Sequence, residues 1–279
     1  MAAPHKYAVF GHPVAHSRSP WLHARFAELT GQLLSYEARD VPPGEFDAAL
    51  AEFLDEGGKG LNITLPHKLA AFAAAGILTP RAQRAGAVNT LALQRAGLLG
   101  DNTDGAGLLR DLQENLGITI GARRVLLLGA GGAARGALPA LLDAAPQALL
   151  IANRHAGRAA ALAAEFAADG PVSGVALDAP HAPFDVIINA TSASLAGEVP
   201  ALSAAAVGPA TYCYDMAYGT QPTAFMRWAT AHGAAGASDG IGMLVEQAAE
   251  SFELWRGLRP PTTSVLEELR RQIIGGTAS

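Results

Sequence analysis

The chain has 279 residues; half are apolar, only 16 % are charged, and the net charge is −5. This length suits two domains, and the acidic balance argues against a nucleic-acid-binding protein, which usually presents a basic face. The sequence contains no uninterrupted run of about 18 apolar residues, so no membrane span is predicted. The lack of a signal-peptide pattern and the single cysteine, Cys213, predict a cytoplasmic protein without disulfides.

The first hundred residues alternate between strand-like and helix-like segments. Strands are predicted at residues 6–10, 33–38 and 59–64. Helices are predicted at 45–54, from Pro20 onward with Ser19 as the N-cap, and from Pro66 onward. This β-α-β-α-β order predicts a mainly parallel sheet, in which ligands bind at the carboxyl ends of the strands. A β-hairpin is predicted within residues 86–100.

Two serines precede the first predicted helix. Ser19 stands directly before Pro20, which is typical of a helix N-terminus, so both capping and ligand binding remain open for Ser19. Ser17 has no predicted capping role. Two hydroxyls in a loop between a strand and a helix suit a small polyhydroxy or carboxylate ligand.

Polar residues also follow the third predicted strand. Asn62, Thr64 and Lys68 lie at its carboxyl end. Lys68 could be an ordinary surface lysine, but a positive charge in a first helical turn opposes the helix dipole. A locally unfavourable residue beside a strand end favours a functional role over that alternative.

The run Asp101–Asp104 separates the hairpin from a predicted helix. Asp104 could cap that helix instead of serving a function, but four consecutive polar residues exceed what one cap requires. The run also precedes the next α/β segment, so we expect the chain to cross between two domains here.

A glycine-rich segment after the apolar strand 125–128 is the most informative motif of the chain. Gly129 permits a tight turn, Gly131 lets the backbone approach a pyrophosphate, and Ala134 lets the next helix pack closely on its strand. The free N–H groups of that helix N-terminus favour phosphate binding. The alternative is a glycine turn without a ligand.

The next predicted strand, 148–152, ends where a dinucleotide-binding motif usually carries its ribose-sensing residue. An acidic residue there would select NAD, but this chain has Arg154 and Arg158 with His155 between them. Two guanidinium groups suit a 2′-phosphate and therefore favour NADP(H). Two solvated arginines at the start of a surface helix are the alternative.

The α/β pattern continues to the C-terminal helices. Strands are predicted at 172–177, 184–189 and 211–216, and helices at 222–232, after Asp239 and from Ser264 onward. We expect Asn189–Ser192 and Met216–Tyr218 to face the cofactor crevice, although Tyr218 could equally be a core aromatic. Gln247 lies one turn after Met243 and shares its helix face.

Seven motifs together resemble the shikimate dehydrogenase family, and they occur along nearly the whole chain in the family's order. They are Ser17–Pro20, Asn62–Lys68, Gly86–Thr90, Gly100–Gly105, Gly129–Ala133, Asn189–Ser192 and Asp239–Gln247. The resemblance implies NADPH-dependent, reversible reduction of 3-dehydroshikimate to shikimate, in the pathway to chorismate and aromatic amino acids. It also implies an α/β protein with the active site in a cleft between two domains. The two domains are a substrate domain at 1–103 and a Rossmann-like NADP domain at 104–239. The C-terminal helices at 240–279 return to the first domain.

The resemblance further implies roles for individual residues. Lys68 matches the catalytic acid/base and Asp104 its partner, and Ser17 and Ser19 match the pair that holds the substrate carboxylate. Residues that match contacts to the substrate ring and hydroxyls are Thr64, Asn89, Tyr218 and Gln247. The pyrophosphate loop is matched by Gly129, Ala130, Gly131, Gly132 and Ala133. The segment that binds the 2′-phosphate is matched by Asn153, Arg154, His155 and Arg158. The nicotinamide side is matched by Thr191, Ser192, Met216, Gly240 and Met243. No metal is implied, and the family contains both monomers and homodimers.

Three residues depart from the family pattern. His67 replaces a common Phe before the lysine, His155 replaces a common Thr, and Thr223 lacks the usual following proline. The nearest alternative is a quinate/shikimate dehydrogenase of broader substrate or cofactor specificity. Arg154 and Arg158 argue against NAD as its cofactor, but they do not exclude quinate as its substrate. A non-catalytic dinucleotide-sensing protein would not need Lys68, Asp104 and the paired serines, and a purely structural protein would not bind NADPH.

Overall fold

The computed structural model describes residues 3–275, which form strands and helices in alternation. The chain divides into two compact units. The first ends at Gly107 and also includes Val245–Val265; the second comprises Leu108–Leu244 and the last helix from Leu266 onward. Only part of the C-terminal segment therefore groups with the first unit.

The first unit is built on a six-stranded sheet with the order β2-β1-β3-β5-β6-β4. Its strands are β1 His5–Gly11, β2 Leu34–Asp40, β3 Gly58–Ile63, β4 Ile77–Leu78, β5 Thr90–Gln94 and β6 Gly97–Asp101, and its helices are α1 Ser19–Thr30, α2 Phe46–Asp55, α3 Lys68–Ala74 and α4 Pro80–Ala85. β1 pairs in parallel with β2 and β3, and β4 with β6, whereas the hairpin strand β5 is antiparallel to both neighbours. The sheet is thus mixed, because a tight hairpin can join only antiparallel strands.

Two predicted helix starts are wrong by one to two residues. Arg18 occupies the N-cap position of α1 and makes no side-chain capping bond, so Ser19 is the first helical residue and not the cap. α3 begins at Lys68, because Pro66 lies in a turn closed by the His67 N–H on the Thr64 carbonyl. Both corrections move a functional candidate into the first turn of a helix.

The second unit contains a six-stranded sheet with the order β12-β11-β10-β7-β8-β9, in which every pairing is parallel. Helix α5, Asp104–Arg110, continues as a π-helical turn, Asp111–Asn115, before this sheet begins. The strands of this sheet and the helices between them are β7 Arg124–Leu128, α6 Gly132–Asp143, β8 Ala148–Asn153, α7 Ala156–Glu165, β9 Val172–Ala176, β10 Val186–Asn189, β11 Tyr212–Asp215, α8 Ala224–Ala231 and β12 Gly236–Ser238. The last two helices of the chain, α9 Ile241–Arg256 and α10 Thr263–Gly275, are each divided between the two units. This strand order is that of a doubly wound, Rossmann-like sheet, and the predicted α/β fold is confirmed.

The central strand β7 explains why this sheet needs helices on both faces. Val125–Leu128 are all fully buried; Val125 and Leu127 pack with the apolar side of α6, and Leu126 and Leu128 pack into a second cluster that includes Phe225 of α8. A continuous apolar strand is the pattern of a parallel sheet covered on both sides. No helix within residues 3–275 is long and apolar enough to cross a membrane.

Candidate active site

Lys68 and Asp104 are each the first residue of a helix, and their side chains form an ion pair in which Nζ donates to Oδ2. Both side chains are mostly buried, with 17 % and 9 % of their surfaces exposed. The carboxylate compensates for an ammonium at a helix N-terminus, a place where the dipole alone disfavours positive charge. A lysine and a carboxylate held together in this way are able to donate and accept a proton.

Asn89 connects this pair to the hairpin. Its Nδ2 donates to Asp104 Oδ1 at 2.8 Å and to Thr103 Oγ1 at 2.9 Å, while its Oδ1 accepts the Thr103 backbone N–H at 2.9 Å. A backbone N–H can only donate, so this last contact fixes which end of the amide faces Asp104. The fold therefore brings Asn89, Lys68 and Asp104 into one cluster.

Gln247 approaches the same cluster from helix α9. A Cβ on Gly107 of α5 would lie 2.6 Å from both the backbone nitrogen and the Cβ of Gln247, so a glycine is needed where the two helices meet. The Gln247 Oε1 lies 3.5 Å from the Thr103 hydroxyl, which donates to it. Gln247 is thus one side chain removed from Asn89.

Ser17 lies in the loop that enters α1, and Ser19 is the first residue of that helix. The Ser19 backbone N–H donates to Ser17 Oγ at 3.3 Å, and the Ser19 hydroxyl is hydrogen-bonded with Tyr36. Thr64 follows β3, where its N–H donates to the Phe10 carbonyl at 2.9 Å. Among residues 3–275, no direct hydrogen bond joins these three side chains to the Lys68 cluster.

The glycine loop of the second unit has the backbone that its sequence predicts. Gly129 has φ +107°, which favours glycine, and a Cβ there would lie 3.2 Å from the Ala190 carbonyl. At Gly131 and Gly132 a Cβ would meet no atom of residues 3–275 within 4 Å, so this part of the chain leaves open space before the N-terminus of α6. Ala134 is fully buried against the sheet. The loop has the room and the N–H donors to hold a pyrophosphate, and Ala130 and Ala133 complete it.

The arginines after β8 have exposed side chains. Within the described part of the chain, neither Arg154 nor Arg158 forms an ion pair. Asn153 Nδ2 donates to the His155 carbonyl at 3.1 Å, which holds the segment between strand and helix. These cations are therefore available for an anionic group at the carboxyl edge of the sheet.

The predicted nicotinamide-side residues lie after three strands of the second sheet. Thr191 and Ser192 follow β10, Met216 follows β11, and Gly240 and Met243 lie at the start of α9, after β12. Thr191 lies against the glycine loop, since its Cγ2 is 3.3 Å from where a Cβ on Gly129 would stand. A Cβ on Gly240 would lie 2.2 Å from the Met216 carbonyl, which brings these two turns into contact. Met216 and Met243 both pack on the core beneath. Ser192 is exposed, and Tyr218 is half-buried in the turn after β11 of this second unit.

Sequence reasoning missed Asp215, a buried carboxylate to which several of these turns are hydrogen-bonded. Its carboxylate accepts from the hydroxyls of Ser194 and Thr223 at 2.5 and 2.6 Å, and from Asn189 Nδ2 and the Ala217 N–H at 3.1 Å. Burial raises the pKa of Asp215, and the four donors offset this only in part. The signal available in the sequence was an acidic residue that ends an otherwise apolar strand.

A second group that sequence reasoning missed anchors the end of β6. Arg81 binds Asp101 with two hydrogen bonds, of 2.7 and 2.5 Å, and also reaches Glu250 at 3.0 Å. Burial alone would raise the pKa of Asp101, but the hydrogen bonds and charge of Arg81 outweigh it, so the pKa is lowered. This ion pair holds the strand end only three residues before Asp104.

Family models match most of the chain in three segments. Residues 9–91 match the shikimate dehydrogenase substrate binding domain, 111–198 match shikimate / quinate 5-dehydrogenase, and 240–270 match the shikimate 5′-dehydrogenase C-terminal domain. A relative from Alkalilimnicola ehrlichii, named shikimate dehydrogenase (NADP(+)), is 56 % identical over 95 % of this chain and 98 % of its own length.

The chain belongs to the shikimate dehydrogenase family. Solved structures agree with this. An Ael1 enzyme from Pseudomonas putida superposes with a TM-score of 0.90 at 45 % identity, covering 95 % of this chain and 98 % of that one. Shikimate 5-dehydrogenase from Thermus thermophilus, in complex with NADP(H) and shikimate, has a TM-score of 0.86 at 37 % identity, covering 96 % and 99 %. Membership confirms the expected family, fold and enzyme class, an oxidoreductase of the dehydrogenase type.

Proposed function

We propose that this protein catalyses the reversible, NADPH-dependent reduction of 3-dehydroshikimate to shikimate, a step towards chorismate and the aromatic amino acids. The observation that carries the proposal is the buried Lys68–Asp104–Asn89 cluster. It occurs in a chain that is 56 % identical to a relative named NADP-dependent shikimate dehydrogenase.

Lys68 is the proposed acid/base. When a ketone carbon accepts a hydride, negative charge develops on its oxygen, and a nearby ammonium stabilises that charge and donates the proton. Asp104 holds the Lys68 ammonium through Oδ2 and shares in returning a proton to Nζ. In the oxidative direction the same group accepts the proton of the substrate hydroxyl.

Six further residues are proposed to bind the substrate. The hydroxyls of Ser17 and Ser19 hold its carboxylate, because two neighbouring O–H donors at the start of α1 match the two oxygens of that group. The ring and its hydroxyls are contacted by Thr64, Asn89, Tyr218 and Gln247. Asn89 has the most restricted geometry, since both ends of its amide are already oriented.

NADPH, when bound, supplies the hydride. The open space at Gly131 and the N–H groups that begin α6 fit its pyrophosphate, and the exposed arginines after β8 fit its 2′-phosphate. The residues proposed to hold the pyrophosphate are Gly129, Ala130, Gly131, Gly132 and Ala133. Those proposed to hold the 2′-phosphate are Asn153, Arg154, His155 and Arg158, and those proposed to hold the nicotinamide are Thr191, Ser192, Met216, Gly240 and Met243. The chain's contribution is to bind and orient this cofactor.

The domain limits remain part of the proposal: substrate binding in 1–103, NADP binding in 104–239, and C-terminal helices in 240–279. A cytoplasmic location is supported by a single, buried cysteine, which suits a reducing compartment. A monomer or a homodimer is proposed as the functional form.

A broader quinate/shikimate specificity is the second candidate, because residues 111–198 match a family model that names both substrates. The test is the initial rate of NADPH formation, followed by absorbance, with shikimate and NADP⁺. In the control reactions, quinate replaces shikimate or NAD⁺ replaces NADP⁺. A rate found only with shikimate and NADP⁺ supports the proposal. Comparable rates with quinate or NAD⁺ favour the second candidate, and no rate with any pair rejects both.

A further inference from the structure

Two buried hydroxyls lie behind the Asn89 amide, on the side away from Asp104. Thr90 and Ser251 are both fully buried, and their oxygens are 2.8 Å apart. Thr90 stands on the hairpin strand β5 and Ser251 on helix α9, so the two come from distant parts of the chain. Neither belongs to the substrate or cofactor residues described above.

The direction of each hydrogen bond in this group follows from its neighbours. Asn89 Oδ1 carries no proton, so the Thr90 hydroxyl, 2.9 Å away, must donate to it. The only proton of Thr90 is then used, so the 2.8 Å contact takes the proton of Ser251, whose hydroxyl can alternatively donate to the Gln247 backbone carbonyl at 3.1 Å. Asn62 Nδ2 in turn donates to Ser251 Oγ at 3.0 Å.

With the Ser251 proton on Thr90, these contacts form a chain of hydrogen bonds that all run one way. It passes from Asn62 to Ser251, from there to Thr90 and to Asn89 Oδ1, and the other end of the same amide donates to Asp104 Oδ1. Aligned hydrogen bonds polarise one another and strengthen the last bond of the series. The last bond here is the one that orients the Asp104 carboxylate towards Lys68.

We propose that Thr90 and Ser251 are positioning residues for the reaction, which act through Asn89 to hold Asp104 in the orientation that pairs with Lys68. This inference rests on the proposed function, because it takes Lys68 and Asp104 as the reacting pair. It assigns no contact with the substrate to either hydroxyl.

The geometry distinguishes this role from general core packing. Asn89 Oδ1 also accepts the Thr103 N–H, so the amide cannot flip when Thr90 loses its hydroxyl. It can only shift or rotate, and a small displacement near reacting groups lowers turnover more than it lowers binding. A purely structural hydroxyl would instead lower stability and leave kcat unchanged.

The test measures kcat, KM for shikimate and the Kd of NADPH for Thr90→Val, Thr90→Ser and Ser251→Ala. Thr90→Val keeps the shape but removes the donor, so we expect kcat to fall about tenfold while the NADPH Kd stays within about twofold. Thr90→Ser keeps the hydroxyl and should stay within about twofold of the unaltered protein. Ser251→Ala acts one bond further away, and we expect a loss of about threefold.

The double variant Thr90→Val/Ser251→Ala separates a chain from two independent effects. If both hydroxyls act through the same amide, its kcat should equal that of Thr90→Val alone, and multiplied losses would overturn the chain. Thr211→Val is the matched control, because Thr211 is an equally buried threonine of the second unit that makes two hydrogen bonds. It should lower the melting temperature without lowering kcat.

Three outcomes would overturn the inference: unchanged kcat in Thr90→Val, an equal loss in Thr90→Ser, or an equal loss in Thr211→Val. If Thr90→Val fails to fold, Ser251→Ala decides alone, and unchanged kcat in that variant overturns the inference. An unaltered protein without turnover on shikimate and NADP⁺ would reject the proposed function itself, a result that none of these variant comparisons can produce.

Discussion

Gly242 lies directly against the carboxylate of Asp111: a Cβ on residue 242 would come within 1.8 Å of Asp111 Oδ1. Asp111 is fully buried, and its Oδ2 accepts a 2.6 Å hydrogen bond from the hydroxyl of Tyr214. Gly242 is the second residue of α9, one position before Met243, which is proposed to contact the nicotinamide. The first turn of this helix therefore has no space for a side chain at 242.

We predict that Gly242→Ala lowers the free energy of unfolding by about 3 kcal/mol, because the methyl group must displace a buried, hydrogen-bonded carboxylate. Urea denaturation measures the change. Gly157→Ala is the matched control: Gly157 also lies in the first turn of a helix, but a Cβ there would meet nothing within 4 Å. Its stability should stay the same or rise by about 0.5 kcal/mol. Equal losses in both variants would contradict the packing argument.

The arginines after β8 give a prediction about cofactor choice. Replacing Arg154 and Arg158 together by glutamine should weaken NADP⁺ binding by about 10- to 100-fold, since charged hydrogen bonds to the 2′-phosphate are lost. NAD⁺ lacks that phosphate, so its affinity should change little. Calorimetric titration of both cofactors measures the difference, with Arg95→Gln in the β5–β6 turn as a charge-matched control. A similar loss for the two cofactors would refute the proposed phosphate site.

The order of elements and the polar residues at strand ends could be predicted from local pattern alone. Apolar runs such as 125–128 form strands of the parallel sheet, and Gly129 takes the positive φ that its motif requires. Local rules were less accurate at helix starts. Helix α1 begins at Ser19, one residue earlier than predicted, where the Ser19 N–H donates to Ser17 Oγ. Helix α3 begins at Lys68, two residues later than predicted, because the His67 N–H closes a turn on the Thr64 carbonyl.

The supporting residues of the site could not be predicted, because their partners are distant in sequence. Ser251 meets Asn62 across 189 positions and Thr90 across 161, and no local pattern relates those residues. In the sequence, Asp215 looks like any other acidic residue at a strand end. Only the fold shows that the hydroxyls of Ser194 and Thr223 donate hydrogen bonds to it. Local sequence thus indicates which residues carry chemistry, whereas tertiary contacts determine which residues hold them in place.

The proposed acid/base predicts a separation between chemistry and cofactor binding. Lys68→Ala should lower kcat by about 10²- to 10⁴-fold, the range usual for loss of a general acid–base group. NADPH affinity should remain nearly intact, because Lys68 belongs to the first unit and the glycine loop to the second. Steady-state kinetics and fluorescence titration of NADPH measure the two effects. Lost cofactor binding in Lys68→Ala would mean that the proposed domain assignment is wrong.

His23 predicts how stability depends on pH. It is fully buried, and its Nε2 lies 3.1 Å from Asn62 Oδ1 while its Nδ1 has no hydrogen-bond partner among the described residues. Burial lowers the pKa of His23 from 6.5 to about 3, so the folded protein keeps this ring neutral where the unfolded chain takes up a proton. Its contribution to stability is therefore fully present above pH ~6.5 and is lost as the pH falls towards 3.

The corresponding variant is His23→Gln, which keeps a polar side chain but cannot titrate. Between pH 6 and pH 4, the free energy of unfolding of the unaltered protein should fall more steeply than that of the variant, by up to about 1.4 kcal/mol per pH unit. Urea denaturation at half-unit steps measures both slopes. The other titrating groups are common to the two proteins, so the difference between the slopes isolates His23. Parallel slopes would mean that the folded protein binds a proton at His23 as readily as the unfolded chain does. In that case the unpartnered Nδ1 would take up a proton in the folded state.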